Sequence, residues 1–156
     1  MNLTDLQFII PRNEKDVDDY YRIRYEVLRK PWGEPYASVK DQWEEQSLHL
    51  LVRAADGTAI ATGRLQFNSP TEAQIRSMAV TESQRGSGIG SRILVFLEKE
   101  AIKKKIASIV LDARDNAVPF YLKNGYSVEG ESYILFGVIP HFRMVKRLKV
   151  SEPSSG

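Results

Sequence analysis

The sequence predicts a mixed α/β domain, and three observations carry that prediction. Three strand-like runs follow one another between residues 47 and 80, separated by turn signals. A glycine-rich stretch then opens directly into a segment with helical apolar spacing, "ESQRGSGIGSRIL". After that segment comes "ASIVLDA", apolar enough for a strand buried on both faces and therefore expected parallel to the third run. The resulting order is a helix, a β-meander, then β-α-β-α-β.

Each element has its own warrant. "LQFIIP" is a short apolar run ended by Pro11, the first strand. Asn13 can cap a helix over "EKDVDDYYRIRYEVLRK", with acids in its first turn and bases in its last. Its apolar stripe is Val17, Tyr20, Tyr21, Val27 and Leu28. "PWGEPYASVKDQWEEQ" has two prolines and a glycine and reads as a loop with a short helical piece. "SLHLLVRA" alternates on Leu48, Leu50 and Val52, and Asp56-Gly57 marks a hairpin turn before "TAIATGRLQF". "NSPTE" turns the chain again into "AQIRSMAV". The helix after the glycines is expected from about Gly88 to Lys105, with the stripe Ile89, Ile93, Leu94, Leu97 and Ala101. "NAVPFYLKNGY" is a short helix with Pro119 in its first turn and Gly125 as its terminal cap. "YSVEG", "SYILFGVI" and "HFRMVKRLKV" supply the last strand or two.

Composition bounds the function. The 156 residues suit one domain, expected over 1–150, with the short, small and polar "SEPSSG" at 151–156 expected to be a disordered tail. Hydrophobic residues at 42% and charged residues at 27% describe a globular chain rather than a disordered one. A net charge of +2 gives no field that would recruit nucleic acid, and the alternating "RMVKRLKV" reads as a strand with one wet face. The absence of cysteine excludes disulfides, thiolate zinc sites and a cysteine nucleophile, and two histidines leave little for a metal, so none is expected. The N-terminus lacks the pattern of a signal peptide, and no apolar run approaches the ~20 residues of a membrane span. A cytoplasmic protein with no membrane partner is the expectation.

The glycines need an explanation, since each is costly in regular structure by roughly 0.5–1 kcal/mol against alanine in a helix. Gly86, Gly88 and Gly90 stand at alternate positions between a predicted strand and a predicted helix, with Arg85 and Arg92 on either side. A helix N-terminus offers unpaired amides and partial positive charge, and glycines let a bulky anion approach them. A plain turn accounts for one glycine, not three, so the stretch reads as a phosphate or pyrophosphate pocket. The dinucleotide fingerprint needs G-x-G-x-x-G and the triphosphate loop needs G-x-x-x-x-G-K-[ST]; neither spacing is present.

Arg85 to Gly90 does match [QR]-x-x-G-x-[GA], the pyrophosphate loop of the GNAT superfamily of N-acetyltransferases. "IRSMAV" resembles that family's fourth strand, and "IVLDARDNAVPFYLKNGYSVEG" resembles its next strand and helix. "RIRYEVLRKPWGEP" and "FGVIPHFRMVKRL" resemble the first helix and last strands of a bacterial-type subgroup, so the resemblance spans about residues 5 to 150. "DAR" at Asp112 to Arg114 departs from the alanine-glutamine pair of that subgroup.

The resemblance implies a GNAT-type fold: a central, mostly antiparallel sheet with splayed parallel strands four and five, flanked by helices. It implies acetyl-CoA as co-substrate and a small-molecule or peptide amine as acceptor, in a monomer or homodimer. Backbone groups of Met78, Ala79 and Val80 would hold the pantetheine arm, one amide serving as oxyanion donor. Amides of Gly86, Ser87, Gly88, Ile89 and Gly90, with Arg85 and Ser91, would hold the pyrophosphate. Asn116 would touch the pantetheine or the region near the sulfur, and Phe120 would pack along the cofactor. Tyr121 matches the tyrosine that protonates the departing thiolate; a phenol near pKa 10 faces a thiol near about 8.5, a small gap.

An attacking primary amine must lose a proton, since its pKa is about 10.4. Glu45, with Glu44, His49 and Glu82, is a candidate base, without a motif that compels the choice. The loop acids Glu34, Asp41, Glu44 and Glu45 read either as wet surface or as the lining of a site for cationic amines. His141 in "VIPH" reads as structural or near the acceptor. The competing reading of the whole chain is a non-catalytic acyl-CoA sensor or interaction module, which would have no use for Tyr121.

Overall fold

A computed structural model describes residues 5–149; the expected tail at 151–156 lies outside them. Among the described residues seven strands and three α-helices follow in the order β1 (Gln7–Ile9), α1 (Glu14–Leu28), β2 (Ser47–Arg53), β3 (Ala59–Phe67), β4 (Glu72–Val80), α2 (Ile89–Lys103), β5 (Ser108–Arg114), α3 (Val118–Lys123), β6 (Ser127–Leu135) and β7 (Ile139–Arg147). The strand order is β1-β2-β3-β4-β5-β7-β6. The fold is mixed α/β with a mostly antiparallel sheet, and β4 with β5 is a parallel pair, Glu72 to Gln74 facing Ser108 to Val110. Among the described residues no helix is long and apolar enough to cross a membrane.

The chain divides into two compact units. One holds the described residues up to Gln66 together with Arg76–Leu97; the other holds Phe67–Ile75 and the described residues from Glu98 onward.

In the first unit, α1 starts as its sequence dictates: Asn13 Oδ1 accepts from the Asp16 amide at 2.8 Å, and Glu14 and Asp16 sit in the positive first turn. The expected basic last turn is absent, because the helix stops at Leu28 and leaves Arg29 and Lys30 beyond its end. Tyr20 and Ile23 are sealed against Leu51, Ala59 and Ala79, with Tyr21, Val27 and Leu28 at the margin. The loop after α1 is three short 3-10 turns, Lys30–Trp32, Tyr36–Val39 and Glu44–Gln46. β2 does not alternate as expected: Leu50, Leu51, Val52 and Arg53 are all buried, because both faces of the strand are covered. β3 is buried from Ala59 to Gln66 for the same reason. A Cβ on Gly63 would meet Ile93 Cγ2 at 2.9 Å and Leu97 Cδ1 at 3.2 Å, so the missing side chain lets α2 lie close on β3.

In the second unit, β5 pairs with β7 from Ser108↔Arg147 to Arg114↔His141. The Tyr126 hydroxyl donates to Glu98 Oε2 at 3.0 Å, and Lys146 Nζ donates to Glu98 Oε1 at 2.8 Å and to Asn124 O at 3.0 Å. The expected runs "YSVEG" and "SYILFGVI" are regrouped. β6 continues through both to Leu135, and the chain reverses at Phe136 (φ 53°) and Gly137 (φ 72°), closed by Val138 N to Leu135 O at 3.1 Å. Two successive positive φ values match the twist of a hairpin, but the Phe-Gly pair lacks the asparagine or aspartate that usually signals such a turn.

Candidate active site

β4 leads to the glycine loop through an irregularity the sequence did not signal. Ser77 has φ 53°, left-handed for a residue with a Cβ, and its carbonyl accepts from Thr62 Oγ1 at 3.1 Å. Strained backbone of this kind gathers at functional sites. Beyond it, Ala79 turns into the core beside Tyr20, while Met78 and Val80 are partly exposed. The Thr81 amide is tied to Ile60 O at 2.9 Å, so the end of β4 is fixed before the loop begins.

The loop is a 3-10 turn, Glu82–Gln84, followed by Arg85 in extended conformation. Gly86 (φ 80°) and Gly88 (φ 89°) are both left-handed, a conformation that other residues reach only with strain. Gly90 is different: it lies inside the first turn of α2. Arg92 N to Gly88 O, 3.3 Å, belongs to the first turn of bonding in α2; the amides of Ile89, Gly90 and Ser91 precede it and are the donors a helix leaves for a capping group or an anion. Ser87 is turned back on the loop, its amide 3.4 Å and its Oγ 2.5 Å from Gln84 O. Arg85 Nε reaches Val80 O at 3.4 Å, and the Arg92 guanidinium lies over the Phe8 ring at 5.1 Å.

In the second unit, the turn Asp115–Ala117 leads into α3, with Pro119 in its first turn. Asn116 is exposed and its amide donates to Asp115 Oδ1 at 2.8 Å. The Tyr121 ring packs edge-on between Phe120, 5.0 Å away, and Tyr126, 5.9 Å away. Burial among these rings pushes the Tyr121 phenol up to about 12.

The candidate bases separate by environment. Glu45 and Glu82 are exposed in 3-10 turns. Glu44 is drawn inside, into a network the sequence did not reveal. Its carboxylate accepts from Arg24 at 2.7 and 2.9 Å, from Arg64 at 2.9 Å and from the Tyr21 hydroxyl at 3.2 Å. Arg64 also donates to Asp41 Oδ2 at 2.8 Å and Gln66 Oε1 at 3.1 Å, and Arg24 also donates to Val39 O. Burial alone would raise the Glu44 carboxyl, but the Arg24 hydrogen bond and the charges of Arg24 and Arg64 outweigh it and hold it below the usual range. An acid so stabilised as an anion is a poor proton acceptor.

His49 Nε2 lies 2.7 Å from Glu44 O and Nδ1 lies 2.7 Å from the Tyr20 hydroxyl. The carbonyl can only accept, so Nε2 carries the proton and Nδ1 receives the phenol's. Burial lowers the His49 pKa, ahead of the opposing pull of Glu44, and keeps the ring neutral in this role.

These carboxylates set an acid-stability profile. Asp41 is held low as Glu44 is, burial being outweighed by its bonds to Arg64 and the Trp43 amide. The unfolded chain protonates such groups near about 4, before the folded chain does. Their contribution is therefore complete above that range and lost as pH falls through the lower folded values. Urea unfolding from pH 7 to 3 is expected to show a falling midpoint below about pH 4, with a shallower fall for Glu44→Gln. Equal slopes for the two proteins would refute the assignment.

The sequence profile of the acetyltransferase (GNAT) family matches residues 17–126, which include the loop, α2 and Tyr121. The chain belongs to that family. A Bacillus subtilis (strain 168) relative, named uncharacterized N-acetyltransferase YjcF, is 31% identical over 141 residues, 90% of this chain and 99% of that one. Two solved acetyltransferases share the fold at low identity. An aminoglycoside 6'-N-acetyltransferase complexed with coenzyme A superposes at TM-score 0.75, 16% identical, over 96% of this chain and 99% of that one. A GNAT family acetyltransferase from Elizabethkingia anophelis with acetyl-CoA bound gives TM-score 0.74 at 14% identity, over 92% and 99%. Within the acetyltransferase fold, the loop after β4 carries Gly86 and Gly88 in left-handed conformation ahead of the helix. Two features escaped sequence reasoning, the strained Ser77 and the buried Glu44 network, since neither uses a residue type that marks strain or burial.

Proposed function

We propose that residues 1–150 act as one N-acetyltransferase domain that moves the acetyl group of acetyl-CoA to a primary amine by direct attack, without a covalent enzyme intermediate. The observation that carries this reading is the connection from β4 to α2, where left-handed Gly86 and Gly88 stand immediately before a helix N-terminus. It is supported by relatives named N-acetyltransferases and by structural neighbours solved with coenzyme A or acetyl-CoA bound.

In this reading the amides of Gly86 to Gly90 and Ser91, with Arg85, receive the pyrophosphate, Ser87 giving up its bonds to Gln84 if it takes part. Main-chain groups of Met78, Ala79 and Val80 take the pantetheine arm, and one of these amides faces the thioester oxygen. Asn116 and Phe120 line the cofactor, and Tyr121 gives its proton to the leaving sulfur. Burial makes the phenol a weaker acid than in water. The same exclusion of water raises the proton affinity of a thiolate formed there, so the gap between the two does not widen in proportion. Glu45 stays a candidate for the amine's proton only through a water chain, given its exposed position.

Calorimetric titration with CoA, and thiol release from acetyl-CoA with an amine panel, test the proposal. Saturable binding and amine-dependent thiol release are expected. Gly88→Val, which forces a branched residue to φ 89°, is expected to weaken CoA about 10- to 100-fold through loop strain of roughly 1–3 kcal/mol. No CoA binding by the native chain would end the proposal.

A further inference from the structure

The β6–β7 hairpin of the second unit carries a deliberate irregularity. Glu131 pairs with Phe142 and Ile134 with Pro140, so Ser132 and Tyr133 together oppose the single residue His141. Bulges of this two-against-one kind re-aim side chains and are over-represented beside active sites. Here the bulge lays the Tyr133 ring flat on the His141 imidazole, centroids 4.4 Å apart and planes 10° apart. It also opens a cavity of about 170 Å³ lined by Glu131, Ser132, Tyr133, Ile134, Pro140 and His141. A cavity of about 150 Å³ accepts benzene, so this one has space for one six-membered ring, with an aminoalkyl arm left to extend from it.

The ring of His141 is held in one orientation. It is 7% exposed, and its Nδ1 lies 3.0 Å from Ile139 O. A carbonyl accepts only, so Nδ1 is the donor there, and the tautomer with its lone pair on Nε2 is the one this contact selects. The stacked Tyr133 blocks rotation out of that setting. His141 is also in register with Arg114, the last residue of β5, from which the chain passes directly into the turn and helix bearing Tyr121. By contrast, both nitrogens of His49 are engaged and Glu44 is bound by two arginines.

We propose that this cavity takes a primary amine carried on a small apolar or aromatic group, and that Nε2 of His141 is the base that receives the amine's proton. The inference rests on the acetyl-transfer reading above. Tyr133, Ile134 and Pro140 supply the apolar walls, and the Glu131 carboxylate favours the ammonium form on entry. The ammonium gives one proton to Nε2, and its freed lone pair forms the N–C bond to the acetyl carbon. As the C–S bond breaks, sulfur keeps the bonding pair and takes one proton. The nitrogen loses its second proton to Nε2, which has passed the first to solvent. Two protons leave nitrogen, one is taken by sulfur, and one is released per turnover.

The test uses the full chain, acetyl-CoA, and benzylamine and phenethylamine as probes. His141→Gln is expected to lower kcat at least about 100-fold, with CoA affinity by calorimetry unchanged within about twofold. Free imidazole is expected to restore part of the activity of His141→Ala. Ser132→Phe, at an exposed position, fills the cavity and is expected to raise the amine KM about tenfold or more without altering CoA affinity. Any of three results would overturn the inference: His141→Gln retaining kcat within about threefold, Ser132→Phe leaving KM unchanged, or a native chain that turns over neither amine. Should His141→Gln not fold, the Ser132→Phe result decides. Failure of the native chain to bind CoA overturns the acetyl-transfer reading as well, whereas CoA binding with an unaffected His141→Gln overturns only the role of His141.

Discussion

Replacing Glu44 by alanine is expected to lower the unfolding free energy by about 3–5 kcal/mol, the range for removing one partner of a buried ion pair. The reason is the arithmetic of charge in a closed space. Arg24 and Arg64 have side chains only 3% and 0% exposed, and both direct guanidinium nitrogens at the same carboxylate. Without it, Arg64 keeps Asp41 and Gln66, and Arg24 keeps Val39 O and the Tyr20 hydroxyl, but two cations then face each other out of water with one carboxylate between them. Arg64 Nε is already sealed without a partner, so the site has no spare acceptor to offer. For a chain of this size the loss corresponds to a fall in Tm of roughly 6–20 °C.

Glu44→Gln keeps the shape and one acceptor oxygen and is expected to fall between the native chain and alanine. The double change Glu44→Ala with Arg64→Met removes the stranded cation and is expected to recover part of the loss, which a contact-by-contact sum would not predict. Urea unfolding followed by the fluorescence of Trp32 and Trp43, in the loop that ends at Glu44, measures all four proteins. A Glu44→Ala loss below about 1 kcal/mol would mean that the network is no more than a surface pair.

That network also marks the boundary of what the sequence discloses. The α2 stripe was legible because helical period is a local property: Ile89, Ile93, Leu94, Leu97 and Ala101 are all essentially sealed. The Asn13 cap and the break between β4 and α2 at the glycine run were legible for the same reason, since each residue type answers a need of its own backbone. Arg64 was not. It lies in a strand buried from Ala59 to Gln66, and its partner Glu44 is 20 residues away in a loop whose acids look like wet surface. Burial of a charge is decided by a partner, and no short window contains the partner. The β6 bulge was hidden differently: Ser132 and Tyr133 are unremarkable strand residues, and only the register with His141 shows that one of them is extra. Ser77 and Phe136 adopt positive φ without the glycine that would have announced it.

Tyr121→Phe is the change that separates an acetyltransferase from a module that only binds acyl-CoA. It is expected to lower kcat about 100- to 1000-fold, the usual reach of one general acid, while CoA affinity stays within about twofold. The ring that packs against Phe120 and Tyr126 is kept, so only the hydroxyl and its proton are lost. Because burial pushes the phenol up to about 12, Tyr121 stays protonated across any practical assay range and contributes no alkaline limb of its own. The leaving sulfur behaves otherwise: above the thiol's own pKa of about 8.5 it needs no proton to depart stably. The defect is therefore expected to shrink as the assay moves from pH 7 to about 9.5, an alkaline rescue that a packing defect would not show. A variant with native kcat at every pH would leave Tyr121 a packing residue and return the sulfur's proton to water; a constant defect with weakened CoA binding would place the hydroxyl in cofactor binding instead.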